Sequence, residues 1–326
     1  MLEDKFGAIE MVQQVNISRV WDETSEIKCF ELVPENGAAL AVAEPGAHID
    51  VHVGGGLIRQ YSLWNGPDDG GRYLIGVKKE AASRGGSVGM HGLSPGRVIT
   101  IDGPRNHFPL VEGTPKDILM AGGIGITPLL SMARHLAASD KPYELHLFSR
   151  NEDHTPFKDV LARLDGATVH AGLEGAERDA VVARILGDGK DGGAHLYTCG
   201  PKPFMTLVVD TAANSGWDAD RVHLEYFSAD VPAASADDAA LEVVLARSGK
   251  SIIVAPGQTI TDAMLAEGVE ILTSCEQGVC GTCLTTVLEG EPDHRDVYLS
   301  PSERSAGKTM LPCVSRCKGP RLVLDL

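Results

Sequence analysis

No stretch of this chain is both long and apolar enough to cross a membrane, since the best candidate, residues 117–133, is broken by glycines and Pro128. The N-terminus lacks a basic segment leading into an apolar one, which argues against a secretory leader and places the chain in the cytoplasm. Basic residues are scarce, with 29 Lys and Arg against 45 Asp and Glu, and they form no run. A net charge of −16 repels phosphate backbones, so nucleic acid is a poor partner. There is no internal repeat, and the glycine loop of residues 121–128 does not follow the Gly-x-Gly-x-x-Gly fingerprint.

At 326 residues the chain is too long for one ordinary core, and two or three domains are expected. Residues 8–110 alternate short β-rich stretches (47–53, 73–78, 98–101) with Gly and Pro turns, the pattern of an antiparallel barrel. From Asp117 the pattern becomes strand, glycine loop, helix (129–138) and strand (143–148), which is a βαβ unit of a parallel sheet. The second domain therefore begins near Val111. A further strand (194–198) and helix (203–215) carry it to about Phe227. Residues 228–240, rich in Ala, Asp, Ser and Pro, read as a linker. Two β-rich stretches (241–246, 251–254), a helix (261–267) and a last strand (321–326) complete the pattern.

Of the 7 cysteines, Cys29 and Cys199 stand alone and five crowd the last fifth of the chain. An odd, clustered set in a reducing compartment points to metal ligation rather than disulfides. Cys275-x4-Cys280-x2-Cys283, with Cys313 after a long gap, has the plant-type [2Fe-2S] spacing. Gly278 and Gly281 let backbone N–H groups turn inward, where side chains would not fit. A structural zinc site could use the same four thiolates, but zinc modules favour two short Cys pairs and, among these four, only Cys280-x2-Cys283 is so closely spaced. Cys317 is a rival for the fourth position; Cys313 is preferred, leaving Cys317 a free thiol.

The segment from Ser274 to Cys283 and the closing Arg-Leu-Val-Leu-Asp-Leu resemble the phthalate dioxygenase reductase family, and the resemblance covers nearly the whole chain. It implies a multidomain α/β plus β protein: an FMN-binding antiparallel barrel (1–110), a Rossmann-like NAD-binding domain (111–227), the linker (228–240) and a β-grasp [2Fe-2S] ferredoxin domain (241–326).

Arg59-Gln60-Tyr61-Ser62 is similar to the Arg-x-Tyr-Ser signature of ferredoxin reductase-like barrels. The likeness implies Arg59 on a flavin phosphate, Tyr61 along the ring and Ser62 beside the reacting nitrogen, roles that suit their chemistry. Arg84-Gly85-Gly86-Ser87 resembles the family's phosphate loop, and Gly76-Val77-Lys78 the strand beside the flavin pyrimidine. Phe227 matches an aromatic laid against the ring, although a buried junction residue is an equal reading.

The loop Gly122-Gly123-Ile124-Gly125-Ile126-Thr127-Pro128 follows an apolar strand and opens a helix, where glycines can hold a pyrophosphate. Cys199-Gly200-Pro201 is the matching second loop, and the family places its cysteine close to the nicotinamide. Ser149-Arg150 lies where such folds separate NADH from NADPH; the resemblance favours NADH.

These motifs together imply an NADH-dependent reductase that passes single electrons through the cluster to a Rieske-type oxygenase, with Ser62 and Cys199 flanking hydride transfer and a monomer sufficing. Two alternatives remain: a reductase serving a cytochrome P450 or another acceptor, and a non-redox binding protein with a zinc module. The histidines are assigned no role, and the acidic run Glu289, Glu291, Asp293, Asp296 is expected to be a solvated face.

Overall fold

A computed structural model of the protein describes residues 12–54, 57–81, 83, 85–189, 192–227, 235 and 238–326. The chain divides into two compact units, one reaching to Glu225 and the other running Tyr226–Leu326.

The first unit opens with β1 (Gln13–Asp22), β2 (Ile27–Pro34), β3 (His48–Gly54), β4 (Leu57–Ser62), β5 (Tyr73–Lys78), helix α1 (Gly86–His91) and β6 (Val98–Arg105). The strands form an antiparallel sheet in the order β4-β3-β6-β1-β2-β5. Leu63, one residue past β4, bridges Ile75 on β5 and closes the sheet into a barrel. Alternation dictates this form, because Val15 and Ile17, Phe30 and Leu32, Ile49 and Val51, Tyr73, Ile75 and Val77, and Ile99 and Ile101 all point to one buried interior. Met90 of α1 joins that interior.

The same unit continues through β7 (Asp117–Gly122), α2 (Ile126–Ala138), β8 (Tyr143–Ser149), α3 (Lys158–Leu161), β9 (Ala167–Ala171), α4 (Gly175–Gly189), β10 (His195–Cys199), α5 (Lys202–Asn214) and β11 (Val222–Glu225). All five strands are parallel, in the order β11-β10-β7-β8-β9. Leu119, Leu145 and Leu147 pack beneath α2 on one face, and Ile118, Met120 and Phe148 beneath α4 and α5 on the other. Helix α2 starts three residues earlier than its apolar pattern suggested. Pro128 lies in its first turn, where a missing N–H breaks no helical bond. The chain moves outward from β7 to β8 and β9, then returns to β10. The carboxyl ends of β7 and β10 are thus a topological switch point, where such sheets open a crevice.

The second unit holds β12 (Leu241–Leu245), β13 (Lys250–Val254), α6 (Ile260–Ala266), β14 (Thr285–Glu289), β15 (Pro292–Asp293), α7 (Pro301–Ala306), β16 (Thr309–Met310), β17 (Arg316–Cys317) and β18 (Arg321–Leu324). The main sheet runs β13-β12-β18-β14-β16, with β12 and β18 parallel. Helix α6, capped by the Thr259 hydroxyl accepting from the Asp262 N–H, lays Ile260, Ala263 and Met264 on the sheet, a β-grasp arrangement. Most of the expected linker lies outside the described residues. Its end is bound rather than free: Asp238 pairs with Arg295 at 2.7 Å and with Arg316 at 3.5 Å.

Candidate functional site

On β4, the Arg59 stem runs beside Gly86: a Cβ on that glycine would lie 2.7 Å from Arg59 Cγ, and one on Gly85, whose φ is +98°, would lie 2.9 Å from Leu57. A guanidinium next to glycine backbone fits a phosphate. Ser87 turns its hydroxyl to accept from the Glu80 N–H, which stiffens this corner. Arg84 lies outside the described residues. Tyr61 is half-buried against the barrel interior, and burial pushes its phenol well above the usual range. On β5, Val77 buries its side chain in the barrel and offers the site only backbone, its carbonyl already accepting from the His91 ring. Gly76 is a point of close approach: a Cβ there would press on Thr127, Ile124 and Phe157 at 3.3–3.4 Å. The barrel strand therefore lies against the glycine loop.

That loop is held by its twin. A Cβ on Gly125 would lie 2.3 Å from the Cys199 carbonyl oxygen, one on Gly122 2.9 Å from Pro201, and one on Gly200 3.0 Å from the Gly122 backbone. Glycine is required because two strand ends meet with no space between them. Thr127 donates its hydroxyl hydrogen bond to the Ile124 carbonyl. A cleft of about 660 Å³ opens beside the loops and brings together Lys78, Gly122, Gly123, Ser149, Arg150 and Pro201. Ser149 is bonded to the Thr155 hydroxyl at 2.6 Å.

Two acids in this unit escaped the sequence reading. Glu225, at the end of β11, is paired with Cys199 in the parallel register, and its Oε2 accepts from Ser62 Oγ at 3.3 Å. Burial pushes the carboxyl up to about 8, so it holds a proton at neutral pH, although the Ser62 bond works the other way. Burial, aided by Glu225, raises the Cys199 thiol well above its usual range; it is a neutral wall rather than a nucleophile. The second is Glu26 in the β1–β2 turn, which meets Arg150 at 2.5 Å. No local motif marks either acid, because each partner lies more than a hundred residues away.

In the second unit Cys275, Cys280, Cys283 and Cys313 are all buried and free of disulfides. Cys275 and Cys280 influence each other's ionisation, as do Cys283 and Cys313, so the four thiols lie in one another's fields. Backbone N–H groups reach the sulfurs, including Gln277 to Cys275 at 3.3 Å. Gly278 and Gly281 have φ of +68° and +75°, and a Cβ on either would strike Val314 and Asp296 or the Tyr298 ring. Among the described residues no group of three or more His, Cys, Asp or Glu side chains is placed to hold a metal ion. Four buried thiols at the plant-type spacing, in a loop whose backbone N–H groups turn toward sulfur, fit a two-iron cluster. Cys317 sits apart in β17, directed at the Arg321 carbonyl. Asp296 departs from the expected solvated face: it is buried, accepts from the Leu299 N–H at 2.8 Å and from Ser315 at 3.3 Å, and backs the cluster loop. Phe227 is exposed and belongs to this unit.

Comparison with known proteins adds to this geometry. The family profile described as a 2Fe-2S iron-sulfur cluster binding domain matches residues 243–318. The chain is 45% identical over 317 residues to a vanillate O-demethylase oxidoreductase of Pseudomonas sp. (strain HR199 / DSM 7063), covering 96% of this chain and 99% of that one. It is also 45% identical over 304 residues to the phenoxybenzoate dioxygenase subunit beta of Ectopseudomonas oleovorans, covering 92% and 93% of the two chains. Among solved structures, phthalate dioxygenase reductase, described as modular for electron transfer from pyridine nucleotides to [2Fe-2S], matches with a TM-score of 0.75 at 34% identity, over 97% of this chain and 98% of that one. An intact type IV self-sufficient cytochrome P450 monooxygenase matches with a TM-score of 0.84 at 34% identity; the chain spans only 41% of that protein's length.

Proposed function

The chain belongs to the phthalate dioxygenase reductase family, and from that premise we propose that it takes hydride from NADH and delivers single electrons through its C-terminal cluster to a Rieske-type oxygenase. The observation that carries this reading is the set of four buried, disulfide-free cysteines at the plant-type spacing, in a chain whose other unit opens a nucleotide-sized cleft against a barrel strand. When bound, FMN accepts the hydride, and it and the cluster together convert a two-electron donor into a one-electron one.

The protein's share is binding, orientation and electrostatics. Arg59 with Gly85 and Gly86 would hold the flavin phosphate, and Tyr61 would line the ring. Gly122, Gly123 and Gly125, at the mouth of α2, would take the nucleotide pyrophosphate, and Gly200 and Pro201 would close the other side. Ser62 keeps its hydroxyl beside a protonated Glu225, and the neutral Cys199 places no charge near the transferred hydride. Cys275, Cys280, Cys283 and Cys313 would ligate the irons. Phe227 remains the proposed aromatic partner of the flavin.

An anaerobic NADH titration of the purified protein, followed by visible absorbance, tests this reading. Bleaching of both flavin and iron-sulfur bands is expected, and a colourless protein would overturn it. A cytochrome P450 acceptor is a second reading, favoured by the likeness to part of the self-sufficient monooxygenase. Reduction rates with a Rieske oxygenase and with a P450 separate the two. Among the described residues no helix is long and apolar enough to cross a membrane. A monomer is proposed, and sedimentation equilibrium checks it.

A further inference from the structure

In parallel nucleotide-binding sheets, the strand beside the glycine-loop strand ends at the adenosine ribose; a carboxylate there accepts from a 2′-hydroxyl, whereas an Arg suits a 2′-phosphate. Here β8 lies beside β7 and ends at Ser149, so the residue that follows at this position is Arg150, not an acid. Taken alone, Arg150 would favour a 2′-phosphorylated nucleotide. The fold places a carboxylate on it: Glu26 Oε2 lies 2.5 Å from Arg150 Nη2, inside the same cleft.

The backbone beneath this carboxylate is held from several directions. The turn that carries it is closed by the Ile27 N–H donating to the Thr24 carbonyl and by the Glu23 and Thr24 N–H groups donating to the Ile27 carbonyl. The Glu26 N–H donates to Thr24 Oγ1 at 3.3 Å, and its carbonyl accepts from the Lys79 N–H at 2.7 Å. Three residues earlier, Glu23 accepts from the Phe157 N–H at 2.6 Å, tying the turn to the nucleotide-binding sheet. The other cations of the cleft are likewise matched: Lys78 by Glu80 at 3.1 Å and Arg178 by Asp179 at 2.8 Å. Among the described residues lining the cleft, every Lys and Arg thus has a carboxylate partner. A half-exposed ion pair adds at most about 1 kcal/mol to stability. Its stronger effect is on the field that a ligand meets.

We infer that Glu26, supplied by the barrel, is the selectivity determinant of the nucleotide cleft: it neutralises Arg150, repels a 2′-phosphate and leaves the cleft suited to a nucleotide with a free 2′-hydroxyl. This rests on the reading of the cleft as the NADH site. The anionic 2′-phosphate would have to displace Glu26 from Arg150 and then lie next to the displaced carboxylate.

The test uses the holoenzyme. Steady-state kcat/KM for NADH and NADPH is measured with ferricyanide as acceptor, and binding of 5′-AMP and 2′,5′-ADP by calorimetry, for the wild type and for Glu26→Gln, Arg150→Ala and the double variant. Glu26→Gln is expected to raise the NADPH to NADH ratio at least tenfold and to tighten 2′,5′-ADP relative to 5′-AMP, with the gain weakening as salt rises. Arg150→Ala alone should bring no such gain, and adding it to Glu26→Gln should abolish the gain. A Glu26→Gln ratio within twofold of wild type while 5′-AMP still binds overturns the inference and leaves the NADH site standing, whereas a wild type that prefers NADPH overturns the inference together with the NADH reading. Failure of the wild type to bind either adenosine nucleotide or to oxidise NADH would instead overturn the reading of the cleft itself.

Discussion

Ser62 and Glu225, 163 residues apart in sequence, meet at 3.3 Å where the last residue of a barrel strand faces the last residue of the parallel sheet. The carboxyl is pushed up to about 8 and is protonated at neutral pH. Ser62→Ala is expected to slow flavin reduction by NADH about 10- to 100-fold through lost positioning, with little change in cofactor content. Stopped-flow reduction under anaerobic conditions checks this.

Glu225 also carries a pH dependence. Its folded pKa is raised above the ordinary 4.5, so the folded state binds a proton that the unfolded chain releases. The resulting stability is fully present below about 4.5 and is lost as pH rises through about 8. Its slope is at most about 1.4 kcal/mol per pH unit. Urea unfolding of wild type and Glu225→Gln between pH 5 and 9 should show that the variant lacks this decline; parallel curves would refute the assignment.

Gly125→Ala would press a methyl group onto the Cys199 carbonyl oxygen, a backbone atom that cannot swing aside. We expect a loss of about 1–3 kcal/mol in stability, together with a KM for NADH raised at least tenfold, because the two loops must separate. Thermal melts and steady-state kinetics report the two effects.

The cysteines divide cleanly. Cys313→Ala should remove the iron-sulfur absorbance and electron paramagnetic resonance signal while leaving the flavin in place. Cys317→Ala should keep both, since Cys317 lies in β17 and is directed at the Arg321 carbonyl. Loss of the signal in the second variant would reverse the choice of fourth ligand.

Asp238 is held down to about 2, chiefly by its hydrogen bond from Arg295, and stabilises the second unit at neutral pH. The sign is opposite to that of Glu225: this contribution is present above the ordinary value of 3.8 and fades as pH falls through about 2. Asp238→Asn should lower the stability of this unit by roughly 1–3 kcal/mol at pH 7, with the difference shrinking in acid. Calorimetry from pH 7 to pH 3 checks it.

The sequence by itself determined whatever depends on local backbone demands. Alternating apolar residues dictated barrel strands, because a strand can bury only every second side chain. The spacing of Cys275, Cys280 and Cys283 with intervening glycines specified a tight loop, and the glycines of residues 122–125 specified a close approach, because both are conformations that few other residues adopt. The helix at Pro128 began earlier than its pattern suggested, since first-turn residues need no inward N–H. Only the tertiary structure decided which charges meet. Ser62 with Glu225, Arg150 with Glu26, and buried Asp296 behind the cluster loop carry no local signal. A carboxylate's role depends on what desolvates it and which cation it faces, and both are settled only when distant strands are brought together.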